Sequence, residues 1–256
     1  MNRLVNKLAI VNQKGGVGKS TTAVNLGASL AEMGKKVLIV DVDPQGNATS
    51  GLGVEKSSVK NSIYNVLVDD IEVEEAVLET ESENLYILPS NIDLAGAEIE
   101  LVSMISREKR LKIALEENKN EYDYILFDCP PSLGLLTLNA LSAANKIIVP
   151  IQCEYYALEG LGQLIETIKL VQNNLNEKLE IEGVVLTMYD ARTNLSKQVS
   201  EEVKNFFDNK VYETVIPRNV RLSEAPSFGQ PVIEYASNSK GAKMYRKLAK
   251  EVNKNV

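Results

Sequence analysis

The chain has 256 residues, a formal net charge of −7 and no histidine, so it is long enough for one α/β domain with a large core. Without histidine, Ser-His-Asp and Cys-His catalysis and histidine-ligated metal sites are excluded. Two cysteines, Cys129 and Cys153, are too few for a disulfide framework or a zinc site, which favours a reducing cytoplasm. No apolar run approaches the roughly 20 residues of a membrane span, and we expect no signal peptide. We expect a single domain over residues 1–256.

The first motif is a glycine-rich loop behind a short apolar run. Leu8–Val11 predicts a strand, and the sequence Lys-Gly-Gly-Val-Gly-Lys-Ser-Thr at 14–21 predicts a phosphate-binding loop before a helix over Thr21–Met33. Glycines let backbone N–H groups face phosphate oxygens, and the helix directs the positive end of its dipole at them. The strict pattern has glycine where this chain has Gln13. The nucleotide-binding residues predicted from the loop are Lys14, Gly15, Gly16, Val17, Gly18, Lys19, Ser20 and Thr21.

Three side chains of this loop have predicted roles in the chemistry. Lys19 reaches the β- and γ-phosphates, and the hydroxyl of Ser20 is placed to join Mg²⁺. Lys14 is an additional lysine, and a cation that reaches the γ-phosphate of a neighbouring protomer would stabilise transition-state charge as an arginine finger does. We therefore expect a nucleotide-sandwich dimer. The alternative is that Lys14 only supplies charge near the loop.

The second predicted strand, Val37–Val40, is followed by two aspartates. Strand alternation directs Asp41 and Asp43 to the same side, at the carboxyl edge where the phosphate loop also lies. A carboxylate there can orient an attacking water or hold the hydration shell of the metal, and Asp43 is the favoured residue. The alternative is that the Asp-Pro and Gly-Asn pairs mark only a turn. Gln45 to Ser62 is rich in Gly, Ser, Asn and Lys and is predicted to be a mobile surface segment.

A further strand, Tyr124–Phe127, is followed directly by Asp128. An apolar run and then an aspartate is typical of a Walker B element, whose carboxylate supports Mg²⁺, usually through water. The alternative is a plain aspartate at a strand end. The sequence Pro-Pro-Ser-Leu-Gly at 130–134 stiffens the exit and provides a hinge that could sense the γ-phosphate. The predicted metal site is Ser20, Asp43 and Asp128, and the predicted catalytic residues are Lys14, Lys19, Asp43 and Asp128.

Short apolar runs alternate with helical stretches along the rest of the chain. That order predicts an α/β fold, a doubly wound, mostly parallel sheet with helices on both faces and a ligand at the carboxyl ends of the strands. The further predicted strands are Leu85–Leu88, Lys146–Ile151, Gly183–Thr187 and Val211–Val215. The further predicted helices are Leu94–Asn118, Leu158–Leu175, Ser196–Phe207 and Ser239–Val252.

Charge is unevenly distributed along the chain. From Thr214 to the end, eight Lys and Arg residues face three Asp and Glu residues, whereas the remainder carries 20 against 32. A basic C-terminal portion is compatible with contact to phosphate backbones, and equally with a solvated helix face.

Three motifs together resemble those of the deviant-Walker-A ATPases of the ParA/MinD superfamily: the loop at 14–21, Asp-Val-Asp-Pro-Gln-Gly-Asn from position 41, and Asp-Cys-Pro-Pro-Ser from position 128. The stretches 41–53, 152–160 and 216–226 are similar to chromosomal ParA (Soj) partition proteins, and the similarity covers nearly the whole chain. The resemblance implies an ATPase that uses ATP and Mg²⁺ and dimerises on binding ATP. It also implies non-specific binding to double-stranded DNA, and a ParB-like partner that stimulates hydrolysis and release.

The same resemblance implies a cytoplasmic, nucleoid-associated protein without stable membrane association. It assigns roles to five residues treated above. Lys14 matches the signature lysine that crosses the dimer interface, Lys19 the phosphate lysine, and Ser20 the Mg²⁺ ligand. Asp43 matches the residue needed for hydrolysis, and Asp128 the Walker B aspartate.

Four residues later in the chain acquire their roles from the resemblance. Pro217 and Asn219 match positions that pack near the nucleotide base. Arg192 and Arg221 match the arginines implicated in DNA binding, and Arg192 follows the sixth predicted strand in a polar loop suited to phosphate contact. Because a dimer doubles every such contact, dimerisation would tie DNA affinity to ATP. The alternative for both arginines is a salt-bridged surface role.

Other protein classes share parts of this pattern. A MinD-type membrane-associated division ATPase would end in a basic amphipathic helix that docks on lipid, but the stripe of Met244, Leu248 and Val252 is more simply explained by packing on the domain. An ATP-dependent ligase of the dethiobiotin synthetase type would need a substrate pocket for which the sequence offers no further constellation. An electron-transfer role like that of nitrogenase iron protein would need paired surface cysteines, whereas Cys129 and Cys153 look like small packed residues.

Overall fold

The computed structural model describes residues 5–118, 121–154 and 161–255. Within these ranges seven strands form one sheet in the order β3-β4-β2-β5-β1-β6-β7, and only β3 runs antiparallel to its neighbour. The mostly parallel, doubly wound α/β architecture predicted from the sequence is therefore confirmed. The strands are β1 Asn6–Ile10, β2 Val37–Asp41, β3 Leu78–Glu79, β4 Leu85–Leu88, β5 Tyr124–Asp128, β6 Lys146–Gln152 and β7 Glu180–Thr187.

Helices cover both faces of this sheet. The α-helices of the described ranges are α1 Lys19–Glu32, α2 Asn47–Gly51, α3 Ile63–Val68, α4 Val73–Ala76, α5 Leu94–Glu100, α6 Arg110–Glu117, α7 Leu135–Ala143, α8 Leu161–Asn174, α9 Asn194–Phe207, α10 Val220–Glu224, α11 Val232–Tyr235 and α12 Lys240–Asn255. The predicted helices over 21–33, 196–207 and 239–252 correspond to α1, α9 and α12. Residues 155–160, which include the start of the helix predicted over 158–175, lie outside the described residues.

Strand alternation divides the interior into two hydrophobic cores. Leu8 and Ile10 of β1 face one core, where α1, α11 and α12 pack. Ala9 on the same strand and Val11 just after it face the other, where α3 and α5 to α9 pack. All four of these side chains are fully buried, as expected for parallel strands that are covered on both faces. The sheet therefore holds the carboxyl ends of β1, β2 and β5 side by side.

The close approach of α1 to the sheet depends on a glycine. A Cβ at Gly27 would lie 2.9 Å from Cδ1 of Ile39, which is too short for a real Cβ, and would make a tight contact of 3.3 Å with Cδ1 of Leu126. Because position 27 lacks a side chain, α1 packs directly on β2 and β5. This contact fixes the direction in which the N-terminus of α1 points.

The single helix predicted over Leu94–Asn118 is wrong. The structure has α5 and α6, separated by a 3₁₀ turn at Leu101–Ser103 and by irregular chain. The hydroxyl of Ser103 donates to the carbonyl of Glu100 at 3.2 Å, and such local side-chain bonds compete with helix propagation. Ser106 has a φ of 53°, a left-handed conformation that a right-handed helix cannot continue through.

The strand predicted at Val211–Val215 is also wrong. The amides of Tyr212 and Ile216 donate at 2.9 and 2.8 Å to two β7 carbonyls that are only two residues apart. The three residues between them, 213–215, therefore bulge away from the edge of the sheet. The amide of Thr214 donates instead to the carboxylate of Glu251 on α12, at 3.1 Å. The segment follows β7 without forming a ladder.

The prediction of a surface segment over Gln45 to Ser62 is wrong for its first half. Ala48 and Thr49 in α2 are fully buried, and a 3₁₀ turn follows at Lys56–Ser58. The sequence patterns do not predict β3 or the helices α2, α3, α4, α7, α10 and α11. Within the described part of the chain, no helix has the length and apolar content to cross a bilayer.

Candidate functional site

The glycine-rich loop between β1 and α1 has a conformation that requires its glycines. Gly16 and Gly18 have φ angles of 75° and 89°, in the left-handed region where a side chain is costly. Gly18 is the N-cap of α1, and no described side chain caps it, so the first N–H groups of the helix remain available to a ligand. Nothing lies within 4 Å of the Cβ positions of Gly15 and Gly16. The outer side of the loop is therefore open to an anion.

Two side chains outside the motif hold this loop in place. The amide of Asn12 donates to the carbonyl of Pro150 at 2.8 Å, and its side-chain oxygen accepts the N–H of Lys14 at 2.9 Å. The hydroxyl of Thr187, at the end of β7, donates to the carbonyl of Val17 at 2.8 Å. The loop is thus tied to the ends of β6 and β7. Sequence reasoning missed both residues, because these contacts span more than 130 positions of the chain.

Lys19 and Asp128 lie at the base of the site. Lys19 is only 7% exposed, and its ammonium donates to the carbonyl of Lys14 at 3.1 Å. Burial lowers the pKa of Lys19, and the Asp128 charge opposes that change. Asp128 is fully buried, and among the described residues neither carboxylate oxygen has a hydrogen-bond partner. Burial first, and then the charge of Asp41, raise the pKa of Asp128 well above its ordinary value, while the nearby Ser20 hydroxyl opposes the rise.

Asp41 and Asp43 have different environments. The fully buried carboxylate of Asp41 accepts the amide and hydroxyl of Thr49 at 2.8 and 2.7 Å, and the amide of Asp43 at 3.2 Å. Burial raises the pKa of Asp41 to about 6, although these hydrogen bonds oppose the rise. One oxygen of Asp43 accepts the amide of Gln45 at 2.9 Å. Asp43 also lines the cavity at the loop, so it is the aspartate of this pair that a ligand would meet.

A cavity of about 460 Å³ lies against the loop, at the carboxyl edge of the sheet. Six of the loop residues predicted from the sequence line it, together with Asp43. The fully buried Val17 does not, and its contribution is limited to its backbone. The lining residues are Gly15, Gly16, Gly18, Lys19, Ser20, Thr21, Val24, Asn25, Asp43, Gln45, Asn47, Ser50, Gly51, Pro131, Met188, Pro226 and Gln230.

A second cavity of about 320 Å³ shares Gly18, Thr21, Met188 and Pro226 with the first. The predicted residues Pro217 and Asn219 line this second cavity. The side-chain oxygen of Asn219 caps α10 by accepting the amide of Arg221 at 3.1 Å, which leaves its NH₂ group to face a ligand. The two cavities therefore lie side by side at the loop.

The donor set fits a magnesium ion held jointly with phosphates. Among the described residues there is no group of three or more side chains of the usual metal-binding types. Mg²⁺ retains several waters and takes one or two carboxylates with substrate phosphates, so it does not need such a group. The unpartnered, buried oxygens of Asp128 suit a water-mediated role. Ser20 and Asp43 line the cavity and are the remaining predicted ligands.

Lys14 and the two predicted DNA-binding arginines lie outside this cavity. The side chain of Lys14 is half-buried and has no ion-pair partner in the described ranges. Arg192 donates to both carboxylate oxygens of Asp190 at 2.9 and 2.7 Å, and Arg221 pairs with Glu224 at 2.8 Å. Both arginines therefore form the salt bridges that the sequence analysis gave as the alternative to DNA binding. Exposed pairs of this kind contribute little stability, so a phosphate group can replace the carboxylate.

The loops that carry the arginines are adjacent. The amide of Tyr189 donates to the carbonyl of Ile216 at 3.0 Å, and the amide of Arg218 donates to the carbonyl of Tyr189 at 3.2 Å. The segment that leads to Arg192 thus runs beside the segment that leads to Arg221. Arg192 follows β7 and Arg221 lies in α10, and residues of both elements line the second cavity.

A parallel sheet whose first strand leads through a glycine-rich loop into a helix, with a buried lysine and aspartates at the same edge, defines a P-loop nucleotide-binding protein. Residues 5–181 match the family described as AAA domain. The chain is 64% identical over 248 residues to the sporulation initiation inhibitor protein Soj of Bacillus subtilis, covering 97% of this chain and 98% of that protein. It is 53% identical to the chromosome partitioning protein ParA of Caulobacter vibrioides, covering 96% and 92%. The chain belongs to the Soj/ParA family of partition ATPases.

Solved structures agree on the fold. A Mycobacterium smegmatis protein named cobyrinic acid a,c-diamide synthase, with bound ADP and magnesium, is 41% identical with a TM-score of 0.87, covering 98% of this chain and 95% of that one. The septum site-determining protein MinD of Pyrococcus horikoshii, complexed with Mg-ADP, is 30% identical with a TM-score of 0.79, covering 98% and 97%.

Proposed function

We propose that this protein is an ATP-dependent DNA partition ATPase that hydrolyses ATP to ADP and phosphate with Mg²⁺. The observation that carries the proposal is the cavity at the P-loop, where Lys19, Ser20 and Asp43 converge beside the buried carboxylate of Asp128. Family membership and the nucleotides bound to similar proteins support ATP and magnesium as the ligands.

In this proposal different groups of the protein bind the phosphates and activate the attacking water. The N–H groups of the loop and of the first turn of α1 bind the phosphates. Lys19 neutralises charge on the β- and γ-phosphates, and the metal adds further neutralisation when bound. Asp43 orients the attacking water with the oxygen that Gln45 does not occupy. When a metal is bound, Ser20 would hold it directly and Asp128 would support it through water, with Asp43 as the remaining predicted ligand.

Lys14 and a second protomer complete the proposed site. The side chain of Lys14 has no carboxylate partner among the described residues, so its charge remains available. We assign it to the γ-phosphate across the interface of an ATP-bound sandwich dimer, as predicted from the motif. Pro217 and Asn219, in the second cavity, hold the base.

Arg192 and Arg221 supply the proposed DNA contact. The ATP-bound dimer presents two copies of each, and doubling the contacts raises an affinity that is too weak in the monomer. A ParB-like partner then stimulates hydrolysis and returns the monomer. The protein is accordingly cytoplasmic and nucleoid-associated.

The geometry of α12 separates this proposal from a MinD-type membrane ATPase. Leu248 and Val252 are fully buried, and Met244 packs against the same core. The apolar face that a membrane-docking helix would insert into lipid is therefore used within the protein. This supports the prediction that α12 is a packed helix without stable membrane association.

A diamide synthase is named among the similar structures, so a ligase is the other candidate. Cys129 and Cys153 are both buried. Burial raises the pKa of Cys153 to about 12 and that of Cys129 well above its ordinary value, and such thiols are inert. Neither cysteine therefore offers a reactive thiolate for covalent catalysis.

Binding to a random-sequence DNA duplex tests the proposal, measured in parallel with a slowly hydrolysed ATP analogue and with ADP, each with Mg²⁺. We expect binding only with the analogue, and affinity that falls steeply as salt increases. Equal binding with both nucleotides would contradict the switch. Absence of DNA binding together with nucleotide-dependent binding to anionic liposomes would favour the MinD-type function.

A further inference from the structure

The segment of residues 92–102, which contains α5 and the 3₁₀ turn that follows it, is apolar on two faces. One face, formed by Leu94, Ala97 and Leu101, is fully buried in the core. The other is a stripe of exposed side chains at Ile92, Ala95, Ile99 and Val102, with steps of three, four and three residues. These steps place the four side chains along one side of a helix. Ile92 is 69%, Ile99 78% and Val102 56% exposed.

This stripe, called the α5 stripe below, is bordered by carboxylates. Residues 91–106 contain three acidic residues, Asp93, Glu98 and Glu100, and no lysine or arginine. Two cations lie nearby and are engaged: Lys56 donates to the carbonyl of Gln45 at 2.8 Å, and Arg107 pairs with Glu108 at 2.8 Å. Glu98 directs its Oε1 inward, so Asp93 and Glu100 are the exposed carboxylates within residues 91–106.

Contiguous exposed apolar side chains of this kind mark sites of protein association. Two copies of the α5 stripe would bring their acidic borders together, and like charges at an interface are unfavourable. A partner helix with apolar side chains along one face and lysine or arginine on either side matches both the stripe and its borders. The charge of the surface thus selects a basic partner over a second copy of this chain.

We propose that the α5 stripe is the docking surface for a basic amphipathic helix of a partner protein. Ile99, at the centre of the stripe, is the anchor, since the largest contributions at interfaces come from central apolar side chains. The acidic borders hold the lysines or arginines of the partner and set its orientation.

Glu98 connects this surface to the nucleotide site. Its Oε1 occupies the space that a Cβ at Gly134 would fill, and it is buried with no hydrogen-bond partner among the described residues. Gly134 is the N-cap of α7, at the end of the loop that follows Asp128. A movement of this loop with nucleotide would displace Glu98 and the helix that carries the stripe. This coupling, unlike the docking surface, rests on the proposed function.

The test uses the full chain and a fluorescent synthetic helix of 18 residues, with leucines at i, i+3, i+4 and i+7 and lysines elsewhere. We expect Ile99→Asn to weaken binding about tenfold. The matched control is Leu170→Asn on α8, where the side chain is 63% exposed, and it should bind as the wild type does. A peptide with glutamates in place of the lysines should not bind. Equal affinity of the lysine peptide for all three proteins would overturn the docking surface.

Sedimentation without peptide checks the alternative occupant. If the wild type self-associates with ADP and Ile99→Asn abolishes that association, a second copy covers the stripe and the proposal is overturned. The coupling is tested by the ratio of peptide affinities with an ATP analogue and with ADP. We expect a ratio different from one in the wild type and close to one in Glu98→Ala; a ratio of one in the wild type would overturn the coupling.

DNA binding separates this proposal from the proposed function. Ile99→Asn should retain DNA binding that depends on the ATP analogue. Wild-type protein that binds the peptide at the stripe, but does not bind DNA with any nucleotide, would contradict the proposed function and leave the docking surface in place.

Discussion

Asp41 and Asp43 lie two residues apart at the end of β2, but their carboxylates have different roles. Asp41 accepts three hydrogen bonds within the protein and organises the turn that leads into α2. Asp43 is bonded through one oxygen to the turn it begins and faces the cavity. Strand alternation places both side chains on one side of the sheet. Their roles differ because Thr49 donates two hydrogen bonds to Asp41.

Replacing each aspartate by alanine should separate stability from turnover. We expect Asp43→Ala to bind ATP, to lose hydrolysis and to accumulate as the ATP-bound dimer, because the group that orients the water is gone. Asp41→Ala leaves buried donors unpaired and should lower the free energy of unfolding by about 2–4 kcal/mol. Hydrolysis assays, sizing with ATP and urea unfolding measure these effects. Normal turnover in Asp43→Ala would remove Asp43 from the catalytic role.

The raised pKa of Asp41 predicts a pH dependence of stability. In the folded state the pKa of Asp41 is about 6, whereas its ordinary value is 3.8. Between these values the folded state binds more protons than the unfolded chain, so stability falls as pH rises through that window. The difference in unfolding free energy between wild type and Asp41→Asn should decrease by about 1–3 kcal/mol between about pH 4 and about pH 7. Parallel pH profiles of the two proteins would contradict this assignment.

At the scale of elements, the contact of α1 with the sheet determines where the phosphate loop points. Gly27 allows this contact, since a Cβ there would overlap Ile39. The N-terminus of α1 therefore lies at the carboxyl ends of β2, β5 and β1, where the aspartates also lie. The direction of the helix dipole therefore depends on the packing of Gly27, which lies about 13 Å along the helix from its N-terminus at about 1.5 Å per residue.

Alanine at two helical glycines should have opposite effects. Gly27→Ala forces overlap with Ile39 and should destabilise by about 1–3 kcal/mol. Gly162→Ala, on α8, meets nothing within 4 Å and should stabilise by up to about 1 kcal/mol through helix propensity. Chemical denaturation of both variants measures the difference. Equal changes would contradict the close packing of α1.

At the scale of the whole molecule, the two arginines beside the second cavity are the proposed link between nucleotide and DNA. Each is paired with a nearby carboxylate of its own segment, so the monomer presents partly neutralised charge. The proposed dimer would raise the number of arginines that act together. That the chain forms one domain over its full length remains a prediction at this scale.

Arg192→Glu should lose DNA binding while it keeps ATP-dependent dimerisation. The expected loss is at least tenfold at moderate salt, since two phosphate contacts per dimer are replaced by repulsion. Lys169→Glu on α8 makes the same charge change at an exposed lysine and serves as the control. Unchanged DNA affinity in Arg192→Glu would place the DNA-binding surface elsewhere on the molecule.

The sequence by itself determined the α/β class, the P-loop and the aspartates that follow two strands, because these depend on local patterns of apolar residues, glycine and charge. Lys19, Asp43 and Asp128 needed no tertiary information to be found. The helix break after α5 and the bulged segment after Val211 were missed, because they depend on single side chains, Ser103 and Glu251, that compete for backbone groups.

Only the tertiary structure decided what holds the loop and where the chain is exposed. Asn12 and Thr187 act through contacts with distant strands, and no local pattern encodes such partners. The α5 stripe likewise emerged only when one apolar face of the helix was buried and the other was left exposed. The sequence shows which residues are apolar, and the packing of the fold decides which of them are buried.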